Sequence, residues 1–225
     1  MKLTTDEFKA RLAAQSLTLS LIGMSGMGKS YRSTQLARLG FAHDCCDDLI
    51  AAELGELLPT NDVSGLAEWM GQPFTVDYRV REQEYLALEE RITRDALESQ
   101  PGNRVIDTTG SVIYVGRDTQ RKLCEVSLVV YLESNQTHQD QLFQTYLAHP
   151  KPIVWGDAFN QQESETNHQA LARCFPELLA LRAAKYRQLA DVILPFEIAR
   201  DTTSPGAEFV DSIAHALEVP VYAAG

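Results

Sequence analysis

The sequence predicts an α/β protein, a three-layer α/β/α domain built on a five-stranded parallel sheet. Five short apolar runs alternate with stretches in which apolar residues recur at helical spacing, and this alternation is typical of a parallel sheet covered by helices on both faces. The fourth run, residues 125–132, is the most apolar, as expected for a strand inside such a sheet. The length of 225 residues suits a single domain with a lid or short insertions.

An amphipathic helix over residues 4–15 is predicted to precede the first strand. Thr4 or Thr5 can cap this helix, and acidic residues occupy its first turn. The first strand, residues 17–22, leads into a glycine-rich turn, and a helix over residues 31–39 follows it. A strand, a glycine-rich turn and a helix in this order are the setting of a phosphate-binding loop.

The turn carries the eight-residue P-loop motif G-x-x-x-x-G-K-[ST]. Its residues are Gly23, Met24, Ser25, Gly26, Met27, Gly28, Lys29 and Ser30. Small residues let backbone N–H groups turn toward phosphate oxygens at the positive end of the next helix. We therefore predict a P-loop NTPase fold whose motif binds ATP, with Lys29 on the β- and γ-phosphates and Ser30 on Mg²⁺. The alternative is a degenerate P-loop that is kept only as an element of the fold.

The second strand, residues 41–47, is predicted to end in an acid, Asp47, and a helix over residues 48–58 follows it. Ligands of open α/β sheets bind at the carboxyl ends of the strands, so Asp47 is placed for chemistry. The alternative role of Asp47 is to cap the following helix. Two more helices are predicted over residues 63–70 and 77–99, and most of the charge on the longer helix is expected to face solvent.

The third strand, residues 104–110, delivers an acid and two hydroxyls to its carboxyl end. Asp107 lies where many P-loop proteins keep a carboxylate near Mg²⁺, so we predict a metal or base role, the alternative being a strand-end cap bonded to Thr109. Thr108 and Thr109 are candidates to bind an acceptor hydroxyl, or they are ordinary strand threonines.

The remaining helices are predicted at residues 134–147 (capped by Ser134), 174–189 and 205–217, and the fifth strand is predicted at residues 191–195. A helical lid is predicted at about residues 148–175, around an exposed polar segment.

The composition excludes several classes of partner. A formal net charge of −11 provides no electrostatic footprint for nucleic acid or an anionic membrane. No stretch reaches the roughly 20 apolar residues of a membrane span, and no leader is recognised, so we expect a soluble cytoplasmic protein, a monomer or weak homodimer. The spacing of the four cysteines favours reduced thiols and argues against a zinc site.

Several motifs together resemble shikimate kinase and its relatives among the nucleoside-monophosphate-kinase-like P-loop kinases. They are the P-loop, the acid Asp47, the Tyr78-Arg79-x-x-Glu82 element and residues 178–190, and the resemblance covers about residues 17–217. It implies one P-loop kinase domain over residues 1–225, with an acceptor-binding helical insert at about residues 59–100.

The resemblance also implies roles for individual residues. Asp47 matches an acid that contacts the acceptor hydroxyl, and Arg79 and Arg182 match arginines that bind the carboxylate of the acceptor. Pro205 ends a loop that backs the adenine. The departures are Cys45 at the place of a second acid, Thr108-Thr109-Gly110 at the place of a three-glycine acceptor loop, and Lys151 at the place of a lid arginine, for which Arg173 is the expected substitute.

We therefore expect an ATP- and Mg²⁺-dependent kinase that transfers the γ-phosphoryl group to a hydroxyl of a small anionic metabolite. Catalysis would rest on Lys29, Asp47 and Asp107, and the acceptor would contact Asp47, Arg79, Thr108, Thr109, Gly110, Lys151 and Arg182. The alternatives are a kinase of another acceptor, such as a sugar acid, nucleoside or nucleotide, and a nucleotide-binding regulator without transferase activity.

Overall fold

A computed structural model describes residues 2–60, 62–98, 101–148 and 151–218. One sheet of five parallel strands has the order β2-β3-β1-β4-β5. The strands are β1 (Thr18–Ile22), β2 (Ala42–Cys45), β3 (Arg104–Asp107), β4 (Leu128–Leu132) and β5 (Val192–Leu194). Because β1 lies between β3 and β4, the P-loop leaves from the centre of the sheet.

Helices cover both faces of this sheet. Within the described ranges they are α1 (Thr5–Ala13), α2 (Lys29–Arg38), α3 (Cys46–Leu54), α4 (Val63–Met70), α5 (Tyr78–Ala96), α6 (Arg117–Val126), α7 (Gln136–Ala148), α8 (Asn167–Leu189), α9 (Phe196–Ala199) and α10 (Gly206–Ala216). α2 and α10 pack together on one face. The connections from β3 to β4 and from β4 to β5 run along the sheet in the opposite direction to the connection from β1 to β2, so right-handed crossovers place α6 and α8 on the other face. The predicted three-layer α/β/α fold with a five-stranded parallel sheet is confirmed.

Some predicted bounds are confirmed and others are wrong. α4 has the predicted bounds, and Thr4 caps α1 in a reciprocal pair with Glu7. β2 ends at Cys45 and α3 begins at once, so Asp47 lies in the first turn of a helix and not at the end of a strand. At the start of α7 the cap is Asn135, not Ser134, because the Asn135 side chain accepts the N–H of His138 at 2.9 Å.

The largest error concerns residues 117–126, for which no helix was predicted. These residues form α6, so β4 starts at Leu128 and not at residue 125. The helix is mostly polar, and only Thr119 and Leu123 of its residues are buried, which leaves a weak apolar signal. The short helix α9 was also not predicted.

The predicted domain, insert and lid extend beyond the described residues. Residues 1, 61, 99–100, 149–150 and 219–225 of these ranges lie outside the described part of the chain. Within that part, no helix is long and apolar enough to cross a membrane. All four cysteines are described, and none of them forms a disulfide bond.

Asn103 joins the first helix to the middle of the sheet. Its side chain is buried, accepts the N–H of Leu17 at 3.0 Å and donates to the carbonyl oxygen of Leu12 at 2.9 Å. The backbone carbonyl of Asn103 accepts the N–H of Ala42 at 2.8 Å. One amide side chain therefore satisfies two buried backbone groups where the chain enters β1.

We predict that Asn103→Ala lowers the free energy of unfolding by about 1–3 kcal/mol, because the substitution leaves the buried N–H of Leu17 without its partner. Urea unfolding measures the loss. The matched control is Asn160→Ala, at an exposed side chain, which should change the free energy of unfolding by no more than about 0.5 kcal/mol. Equal effects of the two substitutions would contradict the role assigned to Asn103.

Candidate active site

The P-loop is a compact turn that only glycine permits at its ends. Gly23 follows β1 with a φ of 142°, and a Cβ atom there would lie 2.8 Å from the carbonyl oxygen of Leu132. Gly28 has a φ of 93° and is the N-cap of α2. Lys29 is buried, and its ammonium group donates to the carbonyl oxygens of Gly23 at 3.1 Å and Met24 at 3.4 Å. The lysine is therefore held over the loop at the start of the helix.

The other motif residues divide between core and surface. Met24 and Met27 are buried, Ser25 is half-buried, and Gly26 and Ser30 are exposed. The backbone of the motif thus opens toward solvent at the helix N-terminus, which is the side from which a phosphate can approach.

Two acids lie beside the P-loop. Asp107 ends β3 in register with Leu21 of β1 and Cys45 of β2. Asp47 accepts a hydrogen bond from the Tyr85 hydroxyl at 3.3 Å. Burial raises the pKa of Asp47 to about 6; the charge of Lys29 opposes this shift, and the charge of Asp107 adds to it. The three groups assigned to catalysis from the sequence are therefore brought together.

The donor set is suited to Mg²⁺ bound with a nucleotide. Asp107 is 3% exposed, and its Oδ2 atom has no hydrogen-bond partner. The described residues contain no cluster of three or more His, Cys, Asp or Glu side chains that would enclose a metal ion. Mg²⁺ on a nucleotide needs only one or two protein oxygens, because phosphates and water complete its shell. The exposed Ser30 hydroxyl and the unpartnered oxygen of Asp107 meet that requirement.

The two threonines after β3 use their hydroxyls in hydrogen bonds within the protein. The Thr108 hydroxyl donates to the carbonyl oxygen of Leu21 at 2.8 Å, and the Thr109 hydroxyl donates to the Glu89 carboxylate. The Ser111 hydroxyl donates to the other oxygen of Glu89 at 2.6 Å. The hydroxyls of Thr108 and Thr109, which were predicted to bind the acceptor, therefore make hydrogen bonds within the protein.

Gly110 is the part of this loop that approaches the P-loop. A Cβ atom on Gly110 would lie 3.5 Å from the Ser25 backbone nitrogen and 3.5 Å from Nη1 of Arg182. The Gly110 carbonyl accepts bonds from Arg182 at 3.2 Å and from the Tyr186 hydroxyl. We call residues 108–111 the acceptor loop, after the acceptor-binding role predicted from the sequence for residues 108–110.

Arg182 is a buried link between this loop and the segment that follows the predicted lid lysine. Its Nη2 atom donates to the carbonyl oxygen of Val154 at 2.6 Å, while Nη1 binds Gly110. The Nε atom is buried and has no partner. The sequence assigned Arg182 to the carboxylate of the acceptor, and the structure shows two of its three nitrogens bound to backbone carbonyls.

The segment 153–156 is fixed to α5 and α8. The Tyr78 hydroxyl donates to the carbonyl oxygen of Ile153 at 2.7 Å and accepts the N–H of Trp155 at 2.9 Å. The N–H of Gly156 donates to Glu82 at 2.9 Å. Ile153, Val154 and Trp155 are buried. This part of the predicted lid is therefore a wall of the site.

The other cations predicted for the site differ in the bonds that they already make and in their distance from the P-loop. Arg79 is exposed and donates to Glu82 at 3.1 Å and to the carbonyl oxygen of Gly156 at 2.7 Å. Arg173 forms a bidentate pair with Glu165 at 2.6 and 2.8 Å, inside the lid region. Lys151 is exposed and lines a small cleft with P-loop residues Met24, Ser25 and Gly26. Of the two lid cations, Lys151 is the one beside the P-loop.

Pro205 lies at the end of a loop that α2 holds in place. Pro205 is exposed and is the N-cap of α10. Arg32 of α2 is buried and donates to the carbonyl oxygens of Ile198 at 2.6 Å and Asp201 at 2.7 Å. The Tyr31 hydroxyl donates to the carbonyl oxygen of Thr202 at 2.9 Å. The residues after the P-loop thus fix the loop that the sequence assigned to adenine.

Glu89 and Arg32 are structural parts of the site that the sequence analysis missed. Glu82 and Glu89 were placed on the solvated charge of the long helix, but both are buried. The sequence spacing did indicate that these two glutamates are buried, because they share a helix face with the apolar residues Tyr78 and Tyr85. Arg32 carried no such signal, since its partners come from residues about 170 positions away.

Glu89 should make the stability of the protein depend on pH. Burial raises its pKa to about 7 from an ordinary value of 4.5, against the lowering effect of the Ser111 and Thr109 hydroxyls. The folded state therefore binds the proton more tightly, and ionisation costs up to about 3 kcal/mol, a cost absent below pH 4.5 and complete above pH 7. We predict that Glu89→Gln becomes more stable relative to wild type as the pH rises from 5 to 8, measured by urea unfolding. Glu84→Gln, on the exposed face of α5, is the control; a pH-independent difference for Glu89→Gln would contradict the prediction.

Sequence comparison with protein-family models and with curated proteins finds no match. Comparison with solved structures finds shikimate kinases. The enzyme of Acinetobacter baumannii, in complex with shikimate, aligns with a TM-score of 0.58 and 20% identity over 92% of this chain and 94% of that chain. The enzyme of Bacteroides thetaiotaomicron aligns with a TM-score of 0.59 and 18% identity over 90% and 99%.

The shikimate kinase of Aquifex aeolicus gives a TM-score of 0.55 and 18% identity over 90% of this chain and 96% of that chain. Identities of this size establish a common fold. The chain therefore has the shikimate kinase-like P-loop kinase fold that its sequence predicts.

Proposed function

We propose that the protein is an ATP- and Mg²⁺-dependent kinase that transfers the γ-phosphoryl group to a hydroxyl of a small anionic acceptor. The observation that carries this proposal is the convergence of a P-loop lysine, two acids and the acceptor loop at one edge of the sheet. The shared fold with shikimate kinases supports the reaction class.

In this proposal the chain supplies positioning and charge, which dominate catalysis of phosphoryl transfer. Lys29 and the P-loop amides bind the phosphates. Asp47, with a pKa of about 6, is mostly ionised at neutral pH and accepts a hydrogen bond from the attacking hydroxyl, which it orients. Lys151 and Arg79 contribute positive charge at the acceptor side, which favours an anionic acceptor.

Ser30 and Asp107 would hold the Mg²⁺ ion, Ser30 directly and Asp107 through bound water. When bound, Mg²⁺ neutralises charge on the phosphates. Asp107 contributes a carboxylate oxygen that is buried and has no hydrogen-bond partner among the described residues, so little water screens its charge.

We also propose that residues 59–100 form the acceptor-binding insert and residues 148–175 the lid. In this lid the moving part lies outside the fixed segment 153–156.

We predict that purified protein releases ADP from Mg-ATP in the presence of an acceptor, and that Lys29→Ala lowers this rate by about 10²-fold or more, because the ammonium group on the phosphates is lost. A coupled ADP assay measures the rate with shikimate and with a panel of hydroxylated carboxylates, sugars and nucleosides. Lys9→Ala, which removes an exposed lysine of α1, is the matched control and should retain the wild-type rate.

The outcomes of this assay separate the candidates. Turnover with shikimate would assign the activity of the structural relatives to this chain. Turnover with another compound would identify a divergent acceptor. ATP binding without acceptor-dependent turnover would favour a nucleotide-binding regulator, and wild-type turnover by Lys29→Ala would refute the assigned site.

A further inference from the structure

The P-loop of this protein lacks an arginine from the predicted lid. Lys151 stands at the place expected for a lid arginine, and a lysine has no planar fork for bidentate phosphate binding. Arg173, the expected substitute, is held by both carboxylate oxygens of Glu165. Both Nη atoms of Arg182 donate to backbone carbonyl oxygens. Neither of these two arginines can therefore bind a phosphate through its fork without giving up hydrogen bonds that it already makes.

Arg200 lies against the P-loop. Its Nη1 atom donates to the carbonyl oxygen of Gly26 at 3.1 Å. A Cβ atom on Gly28 would lie 3.7 Å from Cδ of Arg200 and 4.0 Å from its Nη1 atom, so the side chain runs along the loop. The side chain is exposed, and the ion pairs found among the described residues do not include it. Its positive charge is thus uncompensated by a carboxylate.

The backbone that carries Arg200 is fixed. The N–H of Arg200 donates to the carbonyl oxygen of Phe196 at 2.9 Å and closes α9. On both sides of it, the buried Arg32 binds carbonyl oxygens of residues 198, 199 and 201. Because Arg32 belongs to α2, the P-loop helix itself sets the position of Arg200. Little backbone entropy remains to be lost when the side chain binds a ligand.

We propose that Arg200 binds the phosphates of the nucleotide and takes the place of the lid arginine. This inference rests on the proposed kinase function and adds a phosphate ligand to it. The bond to the Gly26 carbonyl is a hydrogen bond to a neutral acceptor, whereas a phosphate oxygen offers a stronger, charge-assisted one. The bond to Gly26 and the closeness of the side chain to Gly28 keep the guanidinium group beside the P-loop, where this proposal places the phosphates.

The test is equilibrium binding of Mg-ATP, Mg-ADP and adenosine to wild type and Arg200→Ala by isothermal titration calorimetry, with adenosine measured by displacement of Mg-ADP. The loss of a charge-assisted phosphate contact should weaken Mg-ATP and Mg-ADP by about tenfold or more. Adenosine, which has no phosphate, should bind equally to both proteins. Arg200→Lys should recover part of the affinity for Mg-ATP, since a lysine keeps the charge without the fork.

Arg38→Ala is the matched control. Arg38 is an exposed arginine in the last turn of the same helix that carries the P-loop, so the variant removes the same charge from the same protein at a distance from the site. It should bind Mg-ATP with wild-type affinity. Thermal unfolding of all variants checks that the loop after β5 remains folded.

Three results would overturn the proposal. Wild-type affinity of Arg200→Ala for Mg-ATP would remove Arg200 from the phosphate site. An equal loss for adenosine would assign the guanidinium group to the base or to the fold of the loop. If wild type itself binds no Mg-ATP, the proposed kinase function and this inference fail together. The first result, combined with weakened Mg-ATP binding by Lys29→Ala, would mean that only this inference fails and the proposed kinase site stands.

Discussion

The sharp turn from β1 into α2 is the constraint on which the rest of the site depends. β1 occupies the centre of the sheet, and the missing Cβ of Gly23 lets the chain turn past the carbonyl oxygen of Leu132. The strands on either side of β1 are β3 and β4, so whatever follows β3 arrives next to the P-loop. The position of Asp107 and the point where the acceptor loop begins follow from this order.

Buried polar groups then fix the parts that the sheet order alone leaves free. Arg182 and Tyr186 hold the acceptor loop by the Gly110 carbonyl, and Glu89 holds it by two hydroxyls. Desolvated charges are costly unless they are hydrogen-bonded, and here both Arg182 and Glu89 find partners in this loop. The loop is therefore held from both sides, and its backbone, not its side chains, is left to face the P-loop.

The sequence predicted what is local and missed what depends on tertiary contacts. The P-loop, its flanking strand and helix, and α4 were read correctly because glycine spacing and apolar periodicity specify them within a few residues. The hydroxyls of Thr108 and Thr109 were offered to a ligand, because nothing in the sequence says that a buried glutamate from α5 takes one of them. Arg173 was offered to the nucleotide for a similar reason, since its pairing with Glu165 depends on how the loop before α8 folds back. The convergence of Lys29, Asp47 and Asp107 was predictable although Asp47 lies in a helix, because parallel strands end at one edge of the sheet and Asp47 follows the end of β2 by two residues.

The central claim is that this edge of the sheet transfers phosphate to a hydroxyl and does more than bind a nucleotide. The most direct measurement is ³¹P NMR of the protein with Mg-ATP and an acceptor mixture. The account predicts a new phosphomonoester resonance that grows in step with the resonances of ADP. An unchanged ATP spectrum, or conversion of ATP to ADP and inorganic phosphate alone, would contradict it.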